Sequence, residues 1–565
     1  MRAGAKPEFG VFLAVSELLL DRDSEVRPAP GACRATPAKK WRARQPPDWS
    51  ERRARAQCTA VLAERAGKPN WHSVLPDGRW RMKTHSHEPV VNVAEHGNLM
   101  SRVEQMAEFV DRARFEALGA DTRQQLKIRI LDSLGCSLGA LHAHPMQMIR
   151  RYISELGNSG GRCTLIGAGS ADLDRAVFYN SALIRYLDFN DSYLAKEETC
   201  HPSDNLGAIL AAGEFIGATG RELMTALAVA YQVQCRLCDV APVRARGFDH
   251  TVQGAYAVAA GVSKILGLDP TQTANALAIS GTAFNALRVT RTGRLSHWKG
   301  LAYPNLAACC TRAVLLARQG ITGPLEVIEG EKGLMDAITG YFQVSWCEED
   351  LARVGRTTVK KYNAEIHSQT AIEAILSLLR RYHFSSTDIK RVDVEIFDVA
   401  HNIIGGGEEG DKSIVSTKEQ ADHSLPYILA VAILDGQVMP EQYERERIQR
   451  ADVQGLLSKV SVQPRKLFSE RFPDEMPCRV KVTLKDGRIL EQETKDYEGF
   501  FTRPMSWELA AEKFNKVAIP NATEVQRSAI AEEVANLEQI SVRELMKQLG
   551  GVVPGSETSG VVRLN

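Results

Sequence analysis

The sequence predicts a mainly α protein in two lobes, a large all-helical domain joined to a smaller α+β lid. Three observations carry this. From about residue 100 to about 350, apolar residues recur at three- and four-residue steps, the period of a helix with one buried face. After about 355 several segments alternate apolar and polar residues, the period of a strand. Past about 505 the helical period returns, so the tail is expected to pack back on the first domain. At 565 residues the chain is also too long for a single hydrophobic core.

Residues 1–95 come first and differ from the rest. Lys and Arg outnumber Asp and Glu there by 17 to 11, prolines recur, and "WRARQPPDWSERRARA" lies in the middle. This segment is expected to be a basic, disordered extension, with translation from Met82 or an Arg-rich targeting peptide as alternatives. Asp21, Asp23 and Glu25 count against the targeting reading. Residues 96–354 are expected to form the helical domain. "TRQQLKIRILDSLGCSLGAL" has the helical apolar period, "TGRELMTALAVAYQV" opens with Thr219 and Glu222 at capping-box spacing, and "LDPTQTANALAIS" opens with Asp269 and then Pro270 in the first turn. Abundant Ala, Gly and Ser let these helices approach closely.

Residues 355–505 are expected to form the lid. "IKRVDVEIFDV" places Val392, Val394 and Ile396 on one face, and "CRVKVTLKDGRILEQETKD" reads as two strands turning at Asp486-Gly487. "SQTAIEAILSLLRRYH" supplies a helix between them. The segments "WELAAEKFNKVA" and "EEVANLEQISVRELMKQLG" are the returning helices of residues 506–550.

Composition narrows the function classes. Hydrophobic residues are 44%, charged residues 25% and the net charge +1, so no general pull toward nucleic acid or an acidic membrane is expected. The longest apolar candidate, "FGVFLAVSELLL", falls short of the roughly 20 residues of a membrane span and contains Glu17. The eleven cysteines are scattered, and Cys136, Cys235, Cys309 and Cys310 lie in apolar helical stretches. That suits reduced thiols in a cytosol-like compartment. Cys235 and Cys238 form a CxxC pair inside a helix with no second pair at ligand spacing, so they read as core cysteines.

Chemistry concentrates in "RYLDFNDSYLAKEETCHPSDNLGAIL", where Asp188, Asp191, Glu197, Glu198, His201 and Asp204 crowd between apolar helices. Buried carboxylates are costly without compensation. On a helical turn Asp188 and Ser192 would share a face. Capping of the following helix would account for Asp204, with Asp191 and the two glutamates solvated. Cations cluster elsewhere. "NALRVTRTGRLSHWKGLAYPN" carries Arg288, Arg291, Arg294, His297 and Lys299, "TVKKYNAEIHSQ" adds Lys360, Lys361 and His367, and "RGFDHTVQGAYA" supplies His250. Brought together across a cleft, these would hold a small polyanion. The sequence contains no GxxxxGK[ST], HExxH or GxSxG motif and no GxGxxG after a strand.

These segments resemble the MmgE/PrpD family, which includes 2-methylcitrate dehydratases and cis-aconitate decarboxylases. The "LDFND…HPSDN" stretch, "GFDHTV", "SHWKG", "KKYNAEIHSQ" and "HSLPYILAVAILDG" follow the family's order and spacing from about residue 100 to about 545. The HPSDN and SHWKG forms look like the 2-methylcitrate dehydratase branch. In the decarboxylase branch a lysine lies three residues before a histidine in the segment matching "SHWK"; here Ser296 and Lys299 hold those positions.

The resemblance implies a two-lobed dimer acting without a cofactor or iron–sulfur cluster. It implies dehydration of 2-methylcitrate to 2-methyl-cis-aconitate, in the methylcitrate cycle of propionate catabolism, in the cytoplasm or, with a transit peptide, the mitochondrial matrix. It carries the family's first-motif Asp, Thr and His onto Asp188, Ser192 and His201, its next histidine onto His250 and a lysine onto Lys360. A pocket tyrosine of the decarboxylases falls at His401. His201 and His250 are then expected to exchange protons, with Asp188 tuning a histidine. Lys299 joins the catalytic set, and Ser192, Arg288, Lys360, Lys361 and His401 are expected to hold the tricarboxylate. Rival readings are cis-aconitate decarboxylation, a metal-dependent hydrolase using Asp188, Asp191 and His201, and a non-catalytic polycarboxylate-binding member.

Overall fold

The computed structural model describes residues 100–157, 161–293 and 295–552. The basic segment read at residues 1–95 lies outside them, as does Arg294. Among the described residues nine long helices build the first part: α1 (Arg102–Arg112), α2 (Ala120–Gly139), α3 (His144–Glu155), α4 (Leu173–Tyr186), α5 (Leu206–Ile216), α6 (Gly220–Val240), α7 (Thr251–Leu266), α8 (Pro270–Ala283) and α9 (Trp298–Arg318). Local chemistry sets their starts. Thr219 and Glu222 close a capping box on α6, and Asp269 caps α8 with Pro270 in its first turn. Apolar stripes then do the packing. Leu126, Ile130, Leu131, Leu134 and Leu138 of α2 are all buried, each contributing about 1.5–3 kcal/mol by transfer from water. Close crossings need glycine: a Cβ on Gly254 would fall 2.5 Å from the Tyr303 ring of α9.

Two hairpins interrupt the helices, β1 (Cys163–Leu165) with β2 (Gly169–Ala171) and β3 (Tyr193–Leu194) with β4 (Thr199–Cys200). Strands of two or three residues leave no readable period. Cys235 and Cys238 pack with Cys200, Tyr193 and Ala195 in a small buried cluster, and burial pushes their thiols up, Cys238 to about 11.

The α+β part has its own core. It contains α10 (Gln369–Tyr382), β5 (Ile389–Ile396), α11 (Leu425–Asp435), β6 (Val460–Pro464), β7 (Cys478–Leu484) and β8 (Ile489–Thr494). The sheet order is β6-β5-β7-β8, with β5 parallel to β6 and the other pairs antiparallel. Val392, Val394 and Ile396 turn one face of β5 onto the core, and Gly487 takes φ +93° in the β7–β8 turn.

The helices α12 (Trp507–Ala518), α13 (Glu524–Ala535) and α14 (Val542–Gly550) return to the first core, where Phe514, Ile530 and Leu545 are buried. A Cβ on Gly135 of α2 would lie 3.2 Å from Phe514. From α12, Lys513 reaches Asp132 of α2 at 2.5 Å and the carbonyls of Phe189 and Lys360, each at 2.8 Å. Among the described residues no helix is long and apolar enough to cross a membrane.

Candidate active site

The site begins where α4 runs out. The last turn of a helix leaves carbonyls unpaired, and side chains from distant segments take four successive ones here. Lys418 donates to the Tyr186 carbonyl at 3.0 Å and Asn363 to Leu187 at 2.7 Å. Lys360 donates to Asp188 at 2.6 Å and Lys513 to Phe189 at 2.8 Å. Three of these donors are ammonium groups, which also suit the negative end of the helix dipole.

Asp188 turns the chain with φ +54°. That left-handed conformation costs an ordinary residue about 1–2 kcal/mol and is easiest for Asn and Asp. Its carboxylate accepts from Arg185 Nη1 at 2.7 Å, Lys360 Nζ at 2.8 Å and Lys299 Nζ at 3.2 Å, all buried. Burial pushes the carboxyl up, but Arg185, Lys360 and Lys299 outweigh it and hold it well below the ordinary carboxylate range. Burial lowers Lys360, against the pull of Asp188. Because the helix has ended, Asp188 and Ser192 do not share a helical face. Ser192 pairs its backbone with Thr358, at 2.8 and 2.7 Å.

The imidazoles are sorted by their partners. His201 Nδ1 lies 2.8 Å from the Asp191 carbonyl and 3.0 Å from Ser192 Oγ. A carbonyl only accepts, so Nδ1 carries the proton and Nε2 keeps the lone pair. Burial, aided by Arg185 and Lys360, holds the His201 pKa well below the ordinary histidine value. His250 is the reverse case. Arg291 Nη2 donates to its Nε2 at 2.8 Å, so the proton sits on the buried Nδ1, which has no partner among the described residues. Burial and the nearby arginines bring His250 down to about 3, against Asp249.

Both rings line one cleft. The helical part also supplies Arg185, Asp188, Arg244, Arg288 and Arg291 to it. The α+β part faces them with Glu365, His367, Ile403, Glu409 and His423, and Lys360 lies between. Glu409 pairs with Arg288 across the cleft at 2.5 Å. His423 Nδ1 sits 2.7 Å from Asp422 and 2.9 Å from Lys299 Nζ. Asp188, Asp422 and His423 form the one group among the described residues whose donor atoms converge closely enough for a metal ion. The Lys299 ammonium lies between them, at 3.2, 3.1 and 2.9 Å, and so fills the cation position itself. The hydrolase triad does not converge, because the Asp191 carboxylate is turned to Ser203 N and Tyr231 Oη.

The profile of the MmgE/PrpD N-terminal domain matches residues 104–347, and that of the MmgE/PrpD C-terminal domain matches residues 362–539. The chain belongs to the MmgE/PrpD family. It is 27% identical over 404 residues to the 2-methylcitrate dehydratase of Escherichia coli strain K12, covering 65% of this chain and 80% of that one. The mitochondrial 2-methylcitrate dehydratase of Yarrowia lipolytica is 26% identical over 419 residues, with 70% and 79% covered. The cis-aconitate decarboxylase of Mus musculus is 24% identical over 479 residues, with 79% and 93% covered. These relatives are named as dehydratases and a decarboxylase, which supports an enzyme activity for this MmgE/PrpD chain.

The residues expected at the site divide. Asp188, His201, His250, Arg288 and Lys360 line the cleft, and Lys299 reaches it through Asp188 and His423. Ser192 lies behind His201 and is bonded to that ring. Lys361 is not at the cleft: its ammonium pairs with Glu373 and Glu498 at 3.3 and 3.4 Å. His401 is half-buried at the turn beside Gly405 and Gly407, while its neighbour Ile403 lines the cleft. Asp188 contacts cations more closely than any imidazole; the nearest is His423 Nε2 at 3.9 Å. The capping role for Asp204 is also corrected. Asp204 is buried, accepts from Asn190 at 2.8 Å and lies 3.4 Å from Arg185, and burial raises it to about 7. Asp191 and Glu198 are buried as well, whereas Glu197 is exposed. Arg185, Arg244, Glu365, Glu409, Asp422 and His423 were not among the expected site residues. His423 and Glu365 stand inside quoted motifs, and Arg185 lies one helical step before Asp188, but nothing local marks Arg244 or Glu409.

Proposed function

We propose that this chain is a 2-methylcitrate dehydratase, eliminating water from 2-methylcitrate to give 2-methyl-cis-aconitate. One observation carries the reading: a lone-pair nitrogen on His201 and a buried N–H on His250 share a cleft with four guanidinium groups and Lys360. Removing a proton next to a carboxylate builds carbanion-like charge, which fixed cations stabilise at no cost in reorganisation. Arg288, Arg291 and Lys360 hold the carboxylates. His201 Nε2 takes the proton, a transfer that contributes about 10²–10⁴-fold in rate when the base is well placed. His250 Nδ1–H donates to the substrate, Asp188 fixes Lys360 and Lys299, and Ser192 steadies His201. The names of the Escherichia coli and Yarrowia relatives support the dehydratase over the decarboxylase, as do Ser296 and Lys299 in the SHWK segment. The same reading gives a homodimer working in the cytoplasm without an added cofactor.

The test is a panel of 2-methylcitrate, citrate and cis-aconitate. Absorbance of the conjugated alkene should rise with 2-methylcitrate and fall in His201→Ala and Asp188→Ala. Undiminished activity in those variants overturns the residue roles. Carbon dioxide from cis-aconitate without alkene from 2-methylcitrate overturns the reaction. Ligand-dependent thermal stabilisation without turnover of any of the three would make the chain a binding protein.

A further inference from the structure

Resting on the dehydratase reading, we infer that His367, held by Glu365, is the acid that protonates the departing hydroxyl. His367 is fully buried, and its ring lines the same cleft as His201 and His250. Its Nδ1 lies 2.7 Å from Glu365 Oε1, so Nδ1–H donates to the carboxylate. The Glu365 carboxylate also accepts from the His367 backbone N–H at 2.8 Å, which fixes ring and carboxylate together. Phe397 and Phe472 pack against the ring with centroids 5.5 and 5.8 Å away. That leaves Nε2, buried and without a partner among the described residues, as the nitrogen available to a ligand.

Electrostatics separates this ring from the other three histidines of the cleft. Arginine donates directly to His250, Lys299 lies 2.9 Å from His423, and Arg185 and Lys360 face His201. Each of those rings therefore resists a second proton. Among the described residues the charged group that His367 touches is a carboxylate alone, Glu365 at 2.7 Å, whereas His423 has the Lys299 ammonium beside Asp422. Burial pushes Glu365 up, but His367, His423 and Lys360 outweigh it and bring it down to about 2, so the carboxylate is charged at neutral pH. Arg244 and Lys412 also lie near that carboxylate. One ring thus lacks a proton on its cleft side and another, from the opposite part of the chain, can carry one.

The step balances. His201 Nε2 takes the proton beside the carboxylate, and that C–H pair becomes the new C=C bond. The C–O bond breaks, and Nε2–H of His367 protonates the leaving hydroxide to water. His201 ends charged and His367 neutral, and solvent resets both after product leaves.

The test uses the full chain with 2-methylcitrate in deuterated water. His367→Gln and His367→Asn should lose alkene formation about 100-fold or more yet still place deuterium at the carbon that His201 deprotonates. Glu365→Gln is the positioning control: its kcat/KM profile should lose its alkaline arm at lower pH than the native enzyme, because the anion favouring the second proton is gone. Wild-type turnover with undiminished kcat in both His367 variants, or an unmoved Glu365→Gln profile, overturns the acid role and leaves the dehydratase reading standing. A wild-type enzyme that forms no alkene from 2-methylcitrate overturns that reading and the acid role with it.

Discussion

Asp188→Asn removes one negative charge, and almost no volume, from the point where three buried cations meet. Arg185, Lys360 and Lys299 lie 2.7, 2.8 and 3.2 Å from its oxygens. Two of them keep another carboxylate: Arg185 has Asp204 at 3.4 Å and Lys299 has Asp422 at 3.1 Å. Lys360 does not, since Asp188 is its one carboxylate partner within 4.0 Å among the described residues. Breaking a buried pair by removing one charge costs about 3–5 kcal/mol, and the variant is expected to be that much less stable at neutral pH. The charge left on Lys360 then gives the loss a pH signature. Burial already lowers the Lys360 pKa and Asp188 opposes this. Without Asp188 the folded value falls further, while the unfolded value stays near 10.4. Between the two the unfolded chain binds more protons than the folded one, so stability rises with pH. The deficit should therefore shrink from neutral pH toward about pH 10. Calorimetric unfolding of both proteins in matched buffers measures it, with lysines away from the site cancelling in the difference. A deficit under about 1 kcal/mol, or one that stays flat or grows as pH rises, would refute the reasoning.

Other expectations follow from single contacts. Lys361→Ala should leave kcat/KM within about twofold, because its partners Glu373 and Glu498 lie outside the cleft; a tenfold fall in steady-state kinetics would return Lys361 to the site. His250→Asn places an amide N–H near the position of Nδ1, whereas His250→Gln does not. The first should keep about tenfold more kcat than the second, the worth of one hydrogen bond of about 1.4 kcal/mol in the transition state, and equal losses would deny the donor role. Asp269→Ala removes the cap of α8 and should cost about 1 kcal/mol in thermal unfolding with alkene formation unchanged; an unmoved midpoint would deny the cap.

Legibility in the sequence followed the range of the interactions. Helices α2, α6 and α8 announce themselves because period and cap are local, and β5, β7 and the Asp486-Gly487 turn do so for the same reason. Strand β6 stayed hidden: it pairs at the sheet edge with one buried residue in five, and its alternation spans only Val460 to Gln463. The site was harder. Arg185 and Asp188 are three residues apart, yet Lys299 and Lys360 reach Asp188 from 111 and 172 positions away. Those two came to attention as clustered cations and through motif resemblance, which select segments but not side-chain directions. Lys361 shows the limit. It stands beside Lys360, yet the two side chains part, one to Asp188 and the other to Glu373.

The crowding of acids between apolar helices makes sense once front and back are distinguished. Five cations line the cleft against three carboxylates, Asp188, Glu365 and Glu409. The remaining acids stand behind and hold those cations: Asp204 at Arg185, Glu198 at Arg244 and Asp249 at Arg291. A buried cation without such backing would be too costly to keep charged. With it, the cations stay charged and held in place for whatever enters, without reorganisation. Arg288 is the exception, because its carboxylate, Glu409, comes from the facing part. A carboxylate that takes Glu409's place on Arg288 would part that contact between the two parts.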